Sequence, residues 1–247
     1  MASPAKFHKY TEGALSSHDQ VARALGGEII AGVYPPGSKI PGESEILGRF
    51  GISRTVLREV LKTLTAKGLI VSKTRVGTTV LDSSHWNFFD ADVLSWKVAR
   101  GFDADFRRDL TEVRLALEPA AAAVAAERRS AEDIAELHRC VEAMRLATGS
   151  AREFAEADLD FHRAVGRASG NVLMRSMSAV VETALVASFT LSSPVREESE
   201  HEVSVRGHKR IADAIEAGDG ATAAEAMRAM INHGVERIAR TESGARK

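Results

Sequence analysis

Apolar residues recur every third or fourth position through most of the chain, the spacing of helices that bury one face. The pattern is clearest over residues 53–66, where Val56, Leu57, Val60, Leu61 and Leu64 line one side. Arg54, Arg58 and Lys62, spaced i, i+4, i+8, form a basic stripe away from that face. Ser53 suits the N-cap, since its hydroxyl accepts an orphan backbone N–H of the first turn. A basic stripe on a helix of about four turns fits a solvated surface or a DNA major groove. Upstream, Val21, Ala24, Leu25, Ile29 and Ile30 predict a helix from Asp19 that fades at Gly32. Pro35-Pro36-Gly37 and Pro41-Gly42 break the chain there. Glu43 to Phe50 predicts a second short helix ended by Gly51, and the Gly51-Ile52 turn delivers the chain to Ser53. This is a helix-turn-helix order with the second helix placed as reader.

After Lys67-Gly68 the period drops to that of strands: Leu69 to Val71, a turn over 73–77, and a return over Thr78 to Leu81. Three helices and a hairpin predict a winged helix over 18–82, behind a loose arm at 1–17. Residues 83–96 read as an aromatic linker that holds both tryptophans and two of the nine phenylalanines. Such a stretch is too apolar to leave in water. It either docks one domain on the other or begins the second core. Helices are predicted at about 92–100, 105–128, 131–147, 151–168, 171–190, 196–217 and 220–240. The fold class is therefore mainly α: an N-terminal winged helix-turn-helix, an all-α antiparallel bundle over 97–240, and a tail at 241–247.

Composition narrows the picture. A chain of 247 residues has room for two domains, and 44% apolar content excludes disorder. The single cysteine, Cys140, excludes an internal disulfide and cysteine-rich zinc modules, and suits a reducing cytoplasm. No signal-like or membrane-length apolar run is present, so a cytoplasmic protein without a membrane partner is expected. The net charge of −1 hides an asymmetry: residues 1–82 hold 11 basic and 7 acidic residues, +4, against −5 for the remainder. A basic N-terminal part points to a polyanion partner.

The run from Ile30 through Gly32, Tyr34, Pro36-Gly37-Ser38-Lys39-Ile40-Pro41, Glu43 and Glu45-Ile46-Leu47 is followed by Phe50-Gly51-Ile52-Ser53-Arg54-Thr55, Leu57-Arg58-Glu59-Val60-Leu61, Gly68-Leu69-Ile70 and Val76-Gly77-Thr78. With this spacing the stretch resembles the GntR family of bacterial transcription regulators. The resemblance implies that Arg54 and Arg58 contact double-stranded operator DNA, with Thr55 beside them and the hairpin tip around Gly77 near the minor groove. Ser53, Arg54, Thr55, Arg58, Lys62, Arg75 and Gly77 make up the candidate DNA-binding set. Arginine is the side chain able to clamp a guanine edge or a phosphate with two parallel hydrogen bonds, and Ser53 opens a helix N-terminus suited to a phosphate. Two positions depart from the family pattern: Ser44 stands where many relatives carry arginine, and Arg75-Val76-Gly77 where the wing usually reads Gly-x-Gly. Arg75 reads equally as a minor-groove contact or an exposed turn residue.

Farther on, Glu112 to Ala122, Ala157-Asp158-Leu159-Asp160-Phe161-His162, Ala168-Ser169-Gly170-Asn171, and His208 with Ile211, Ala214-Ile215 and Gly218-Asp219 are similar to the FCD effector domain of the FadR branch of that family. The aromatic stretch further resembles members answering to sugar acids such as galactonate. Asp158 and His162 lie at i, i+4 on one side of a helix, the spacing of two metal ligands, of an ion pair, or of a satisfied core histidine. The resemblance implies Asp158, His162 and His208 as ligands of a divalent ion, zinc first, with nickel and manganese as alternatives. The usual fourth ligand, a histidine, falls on Met230, whose thioether suits a hard ion poorly. His233, one turn later, is the candidate substitute, with water as the other. Arg114, among Val113, Leu115 and Leu117, needs an anion: Glu118 at i+4 or, by the resemblance, an effector carboxylate. Asn171 is a candidate effector contact or a helix cap. His138 and His201 read as surface residues and Cys140 as a packed side chain.

The function these readings predict is a homodimeric DNA-binding transcription regulator, a repressor released by a small organic acid such as a sugar acid or hydroxy acid. A metal-dependent enzyme would need a general base at a recognisable spacing, and no HExxH-like helix exists. No catalytic residue is assigned. An effector-independent DNA binder with a structural ion is the third possibility.

Overall fold

The computed structural model describes residues 16–73, 77–101, 103–176 and 178–244. The chain forms two compact units, the second beginning at Asp103. Most of the arm at 1–17, residue 75 of the wing turn and the end of the tail lie outside the described residues.

The N-terminal unit opens with α1 (Ser17–Ile30), α2 (Glu43–Phe50) and α3 (Arg54–Ala66). Their apolar faces meet in a core of Leu25, Ile29, Ile46, Leu57, Val60 and Leu64, all at most 2% exposed. Gly51 ends α2 in the left-handed conformation, φ 63°, which a side chain would resist, so the chain turns at once into α3. Arg49 and Tyr34 both donate to the Glu28 carboxylate, which ties α2 to α1. Strands β1 (Ile70–Lys73) and β2 (Gly77–Val80) pair antiparallel with Ile70 opposite Val80 and Lys73 opposite Gly77, so the predicted hairpin forms.

The stretch drawn as a linker belongs to this unit. Helix α4 (Ala91–Arg100) packs on α1, and Trp96, 5% exposed, joins the N-terminal core. A Cβ on Gly26 would lie 2.2 Å from the Trp96 ring, so glycine there makes room for the indole. Trp86 donates from Nε1 to the Leu81 carbonyl at 3.0 Å. Lys67, just past α3, is buried and donates to Asp90 at 2.7 Å and Asp92 at 2.8 Å. The aromatic residues thus complete the first core rather than begin the second, and only Phe89 stays well exposed.

The second unit is helical throughout: α5 (Ala104–Arg128), α6 (Ala131–Leu146), α7 (Ala151–Ala168), α8 (Val172–Ser176), α9 (Ser178–Leu191), α10 (Glu198–Ala217) and α11 (Gly220–Gly244). Ser130 and Asp133 form a capping box at the start of α6, and Gly218 in the left-handed region ends α10. Small residues let α5 and α11 approach: Ala122, Ala125 and Ala126 are fully buried, and a Cβ on Gly220 would lie 3.1 Å from the Ala123 carbonyl oxygen. Phe154, Phe161, Leu137, Met144, Ile211 and Ile215 fill the centre.

Two expectations change here. Residues 241–244 continue α11 instead of forming a tail; Thr241 Oγ1 donates to Arg237 O one turn back and lies 3.0 Å from Ser192 Oγ, from which it can accept. His201 is 8% exposed, not a surface residue; its Nε2 lies 2.9 Å from the Met144 carbonyl and its ring stacks edge-on against Phe154. No described helix is long and apolar enough to cross a membrane.

Candidate functional site

The first site is the outer face of α3. Ser53 caps the helix, accepting from Val56 N at 3.3 Å. Burying Leu57, Val60 and Leu64 leaves Arg54, Thr55, Arg58 and Lys62 exposed. Lys62 is paired with Glu59 at 2.8 Å, whereas Arg54 and Arg58 form no hydrogen bond or ion pair among the described residues. Gly77 is exposed at the start of β2.

The second site lies inside the helical unit. Asp158 and His162 project from one face of α7 toward His208 on α10, and the three residues are 3%, 8% and 2% exposed. One donor atom from each lies within 4.8 Å of the others. The His208 Nδ1–H donates to the Ser204 carbonyl at 2.8 Å, which leaves the Nε2 lone pair facing Asp158 Oδ1 at 2.9 Å. On the other ring Glu118 sits against His162 Nδ1, so that Nε2 faces Asp158 Oδ2 at 3.8 Å. Two imidazole lone pairs and a carboxylate therefore point at one another. Asp158 Oδ2 is buried without a hydrogen-bond partner, and His208 Nε2 has no contact of its own beyond Asp158 Oδ1. Such atoms are costly to bury unless something they both ligate lies between them.

Electrostatics favours a cation. Burial pushes the Asp158 carboxyl up, but positive charge on His208, His162 and Arg114 outweighs it and holds the group below its usual range; with both imidazoles neutral, a bound cation would supply that charge. Burial acts on Glu118 in the same way, and Arg114 with His162 brings it down to about 2. Both carboxylates are ionised at neutral pH. Borderline nitrogen and oxygen donors in this number suit a divalent transition ion with positions left open, so the donor set fits a metal.

The remaining sequence candidates separate. Arg114 lines the cavity beside the triad, yet its guanidinium is committed to Glu118. His233 is not in the cluster; its Nε2 lies 2.9 Å from Glu200 on α10 instead. Met230 lines the cavity and occupies the space a Cβ on Gly207 would need, with Sδ 1.9 Å from that position. Asn171 accepts from the N–H groups of Leu173 and Met174 and is a cap at the start of α8, away from the cavity. His138 stays at the surface against Glu216 at 2.8 Å.

Sequence reasoning missed Arg237. It is 7% exposed, lines the same cavity, donates from Nε to Ser192 O at 3.3 Å and has no ion-pair partner among the described residues. Its burial lowers its pKa, the sign of a cation short of counter-charge. The available signal was spacing: Met230, Gly234 and Arg237, at i, i+4, i+7, share one face of α11. With Phe154, Leu185 and Phe189 as apolar walls, the cavity of about 40 Å³ joins a cation-ready triad to a guanidinium that no carboxylate pairs among the described residues.

Residues 17–80 match the family described as bacterial regulatory proteins, gntR family, and residues 109–233 match the FCD domain. The chain is 34% identical over 225 residues to the galactonate operon transcriptional repressor of Escherichia coli (strain K12), covering 91% of this chain and 97% of that protein. It is 29% identical over 222 residues to the putative L-lactate dehydrogenase operon regulatory protein of the same organism, covering 87% and 83%. Among solved structures, Lar, which controls the Listeria monocytogenes agr system, superposes with a TM-score of 0.62 at 18% identity, covering 96% and 99%. McbR/YncC of E. coli gives 0.55 at 16% identity, covering 92% and 99%. At these identities the two structures speak to the fold alone.

Proposed function

Because the chain belongs to the GntR family of bacterial regulatory proteins, carries the FCD domain and is a transcription regulator, we propose that it is a repressor released by a small sugar acid or hydroxy acid. In this reading it binds a pseudopalindromic operator as a homodimer, each α3 entering a major groove with Arg54 and Arg58. Arg75 and Gly77 serve the wing, Thr55 and Lys62 the flanks, and Ser53 a phosphate.

The observation that carries the effector half is the convergence of Asp158, His162 and His208 beside an unpaired Arg237. Those three residues would hold the ion, zinc before nickel or manganese, and when bound it would supply positive charge and open positions to an acid's oxygens. Ser204 and Glu118 fix the two imidazole rings, and Arg114 holds Glu118 in place. Arg237 offers a guanidinium fork to the acid's carboxylate. A cavity of about 40 Å³ takes a carboxylate head and not a whole sugar acid. Binding of the whole acid therefore displaces the α9 wall of Leu185 and Phe189, and that displacement turns occupancy into a change of shape.

Metal analysis and calorimetry test this on the full chain. One divalent ion per chain is expected, lost in Asp158→Ala. Galactonate or lactate should bind the loaded protein, and Arg237→Ala should keep the ion while weakening the acid by about 1.5–3 kcal/mol, the worth of a hydrogen bond to a charged group. Wild type that retains no ion, or acid binding indifferent to both substitutions, would overturn the reading.

A further inference from the structure

A larger cavity, about 210 Å³, shares His162 with the triad's cavity and is lined beside it by Glu118. It is a half-open cleft bordered by α5, α7, α8, α9 and α11 and walled mainly by Leu117, Ala121, Val165, Met174, Val181 and Met227. Its volume would hold about seven waters at ~30 Å³ each, yet these walls offer them few hydrogen bonds, so hydrocarbon suits the space better. Two methionines let the walls adapt to shape.

Charge gives the occupant an orientation. Glu118 at the inner wall, already paired with Arg114 and His162, leaves no cation there for a carboxylate. Arg163 and Arg167 also border the space, but they are engaged by Glu182 at 2.6 Å and Glu136 at 3.4 Å. Arg175, exposed on α8, has no hydrogen bond or ion pair among the described residues. We propose that this cavity is a second small-molecule site for an aliphatic monocarboxylate of about six carbons, hydrocarbon inward and carboxylate on Arg175. Because Glu118 and His162 form its inner wall, filling it shifts the His162 ring and changes the protein's affinity for its ion. The site itself does not depend on the acid-released repressor reading; only the coupling to the ion does.

Hexanoate, with 1-hexanol as the uncharged comparator, is the probe for the full chain. Calorimetry should show saturable one-to-one hexanoate binding, with hexanol weaker. Arg175→Ala, at an exposed position, should weaken hexanoate by about tenfold, the share of one charge-assisted hydrogen bond, and leave hexanol unchanged. Met174→Trp, which fills the space from a half-buried position, should abolish both. Asp158→Ala should bind hexanoate within about twofold of metal-free wild type, the comparison that leaves the coupling out, which separates this site from the triad and from the failure of the metal reading. Chelator competition for zinc should shift at least threefold when hexanoate is added. Absence of saturable binding, binding unchanged in Arg175→Ala and Met174→Trp, or loss only in Asp158→Ala would overturn the site. An unmoved zinc affinity would overturn the coupling.

Discussion

Lys67 joins the end of the reading helix to the segment that completes its core, and replacing it by methionine isolates that role. The methionine keeps an apolar stem under Trp96, whose ring centroid lies 5.5 Å from Nζ, and removes the charge. The substitution deletes the bonds to Asp90 at 2.7 Å and Asp92 at 2.8 Å. Hydrogen bonds between charged groups are worth about 1.5–3 kcal/mol each, but the Asp92 partner is half exposed and counts for less than about 1 kcal/mol. The expected loss is about 2–3 kcal/mol, confined to the N-terminal unit. Both tryptophans, Trp86 and Trp96, pack in that unit, so their fluorescence reports its unfolding, while far-UV circular dichroism is dominated by the helical unit. With a urea slope of about 1 kcal/mol/M for a unit of this size, Lys67→Met should lower the fluorescence midpoint by about 2 M and leave the main dichroism transition in place. Burial pulls the Lys67 ammonium down in pKa, but Asp90 and Asp92 hold it above 10.5. A raised pKa means the contribution is full below pH 10.5 and is lost as pH rises through the folded value, so the difference from wild type should persist at pH 9. An unmoved fluorescence midpoint, or equal shifts in both signals, would refute a local latch.

Other substitutions probe the two sites. Arg58→Ala should cost most of the specific DNA affinity and reduce the salt dependence by about one ion if the lost contact is a phosphate, with the fold intact; near-normal operator binding would end its assignment as a reader. His233→Ala should retain the ion that His208→Ala loses, since His233 faces Glu200 instead of joining the triad; equal loss in both would contradict that separation. Burial pushes the Cys140 thiol up to about 11, so it stays protonated and inert at pH 8. A disulfide reagent should label it only in denaturant, and rapid labelling of the native chain would contradict its packing.

The helical reading of the sequence succeeded where one residue type served one role. Ser53 caps α3, and Val56, Leu57, Val60, Leu61 and Leu64 face the core, because capping and amphipathic period act locally. Asp158 and His162 were legible for the same reason, an i, i+4 pair on one helix. What was not legible depends on packing between distant segments. The aromatic run at 86–96 has no period that says which core it joins; only the space over Gly26 and the charge of Lys67 decide that. Arg237 looked like one arginine among many on α11 until its neighbours left it without a carboxylate. His233 and Met230 are one turn apart in sequence, and which of them faces the triad is set by the rotation of α11 against α5 and α10.

Operator affinity measured with and without acid tests the central claim most directly. An operator enriched from random DNA by the metal-loaded protein would be labelled, and its Kd followed by anisotropy at fixed salt across a panel of sugar acids and hydroxy acids. At least one acid should weaken binding by about 5–150-fold, a coupling of about 1–3 kcal/mol, and Arg237→Ala should need more acid for the same effect. A Kd unchanged by an acid that calorimetry shows to be bound beside Asp158, His162 and His208 would contradict the account.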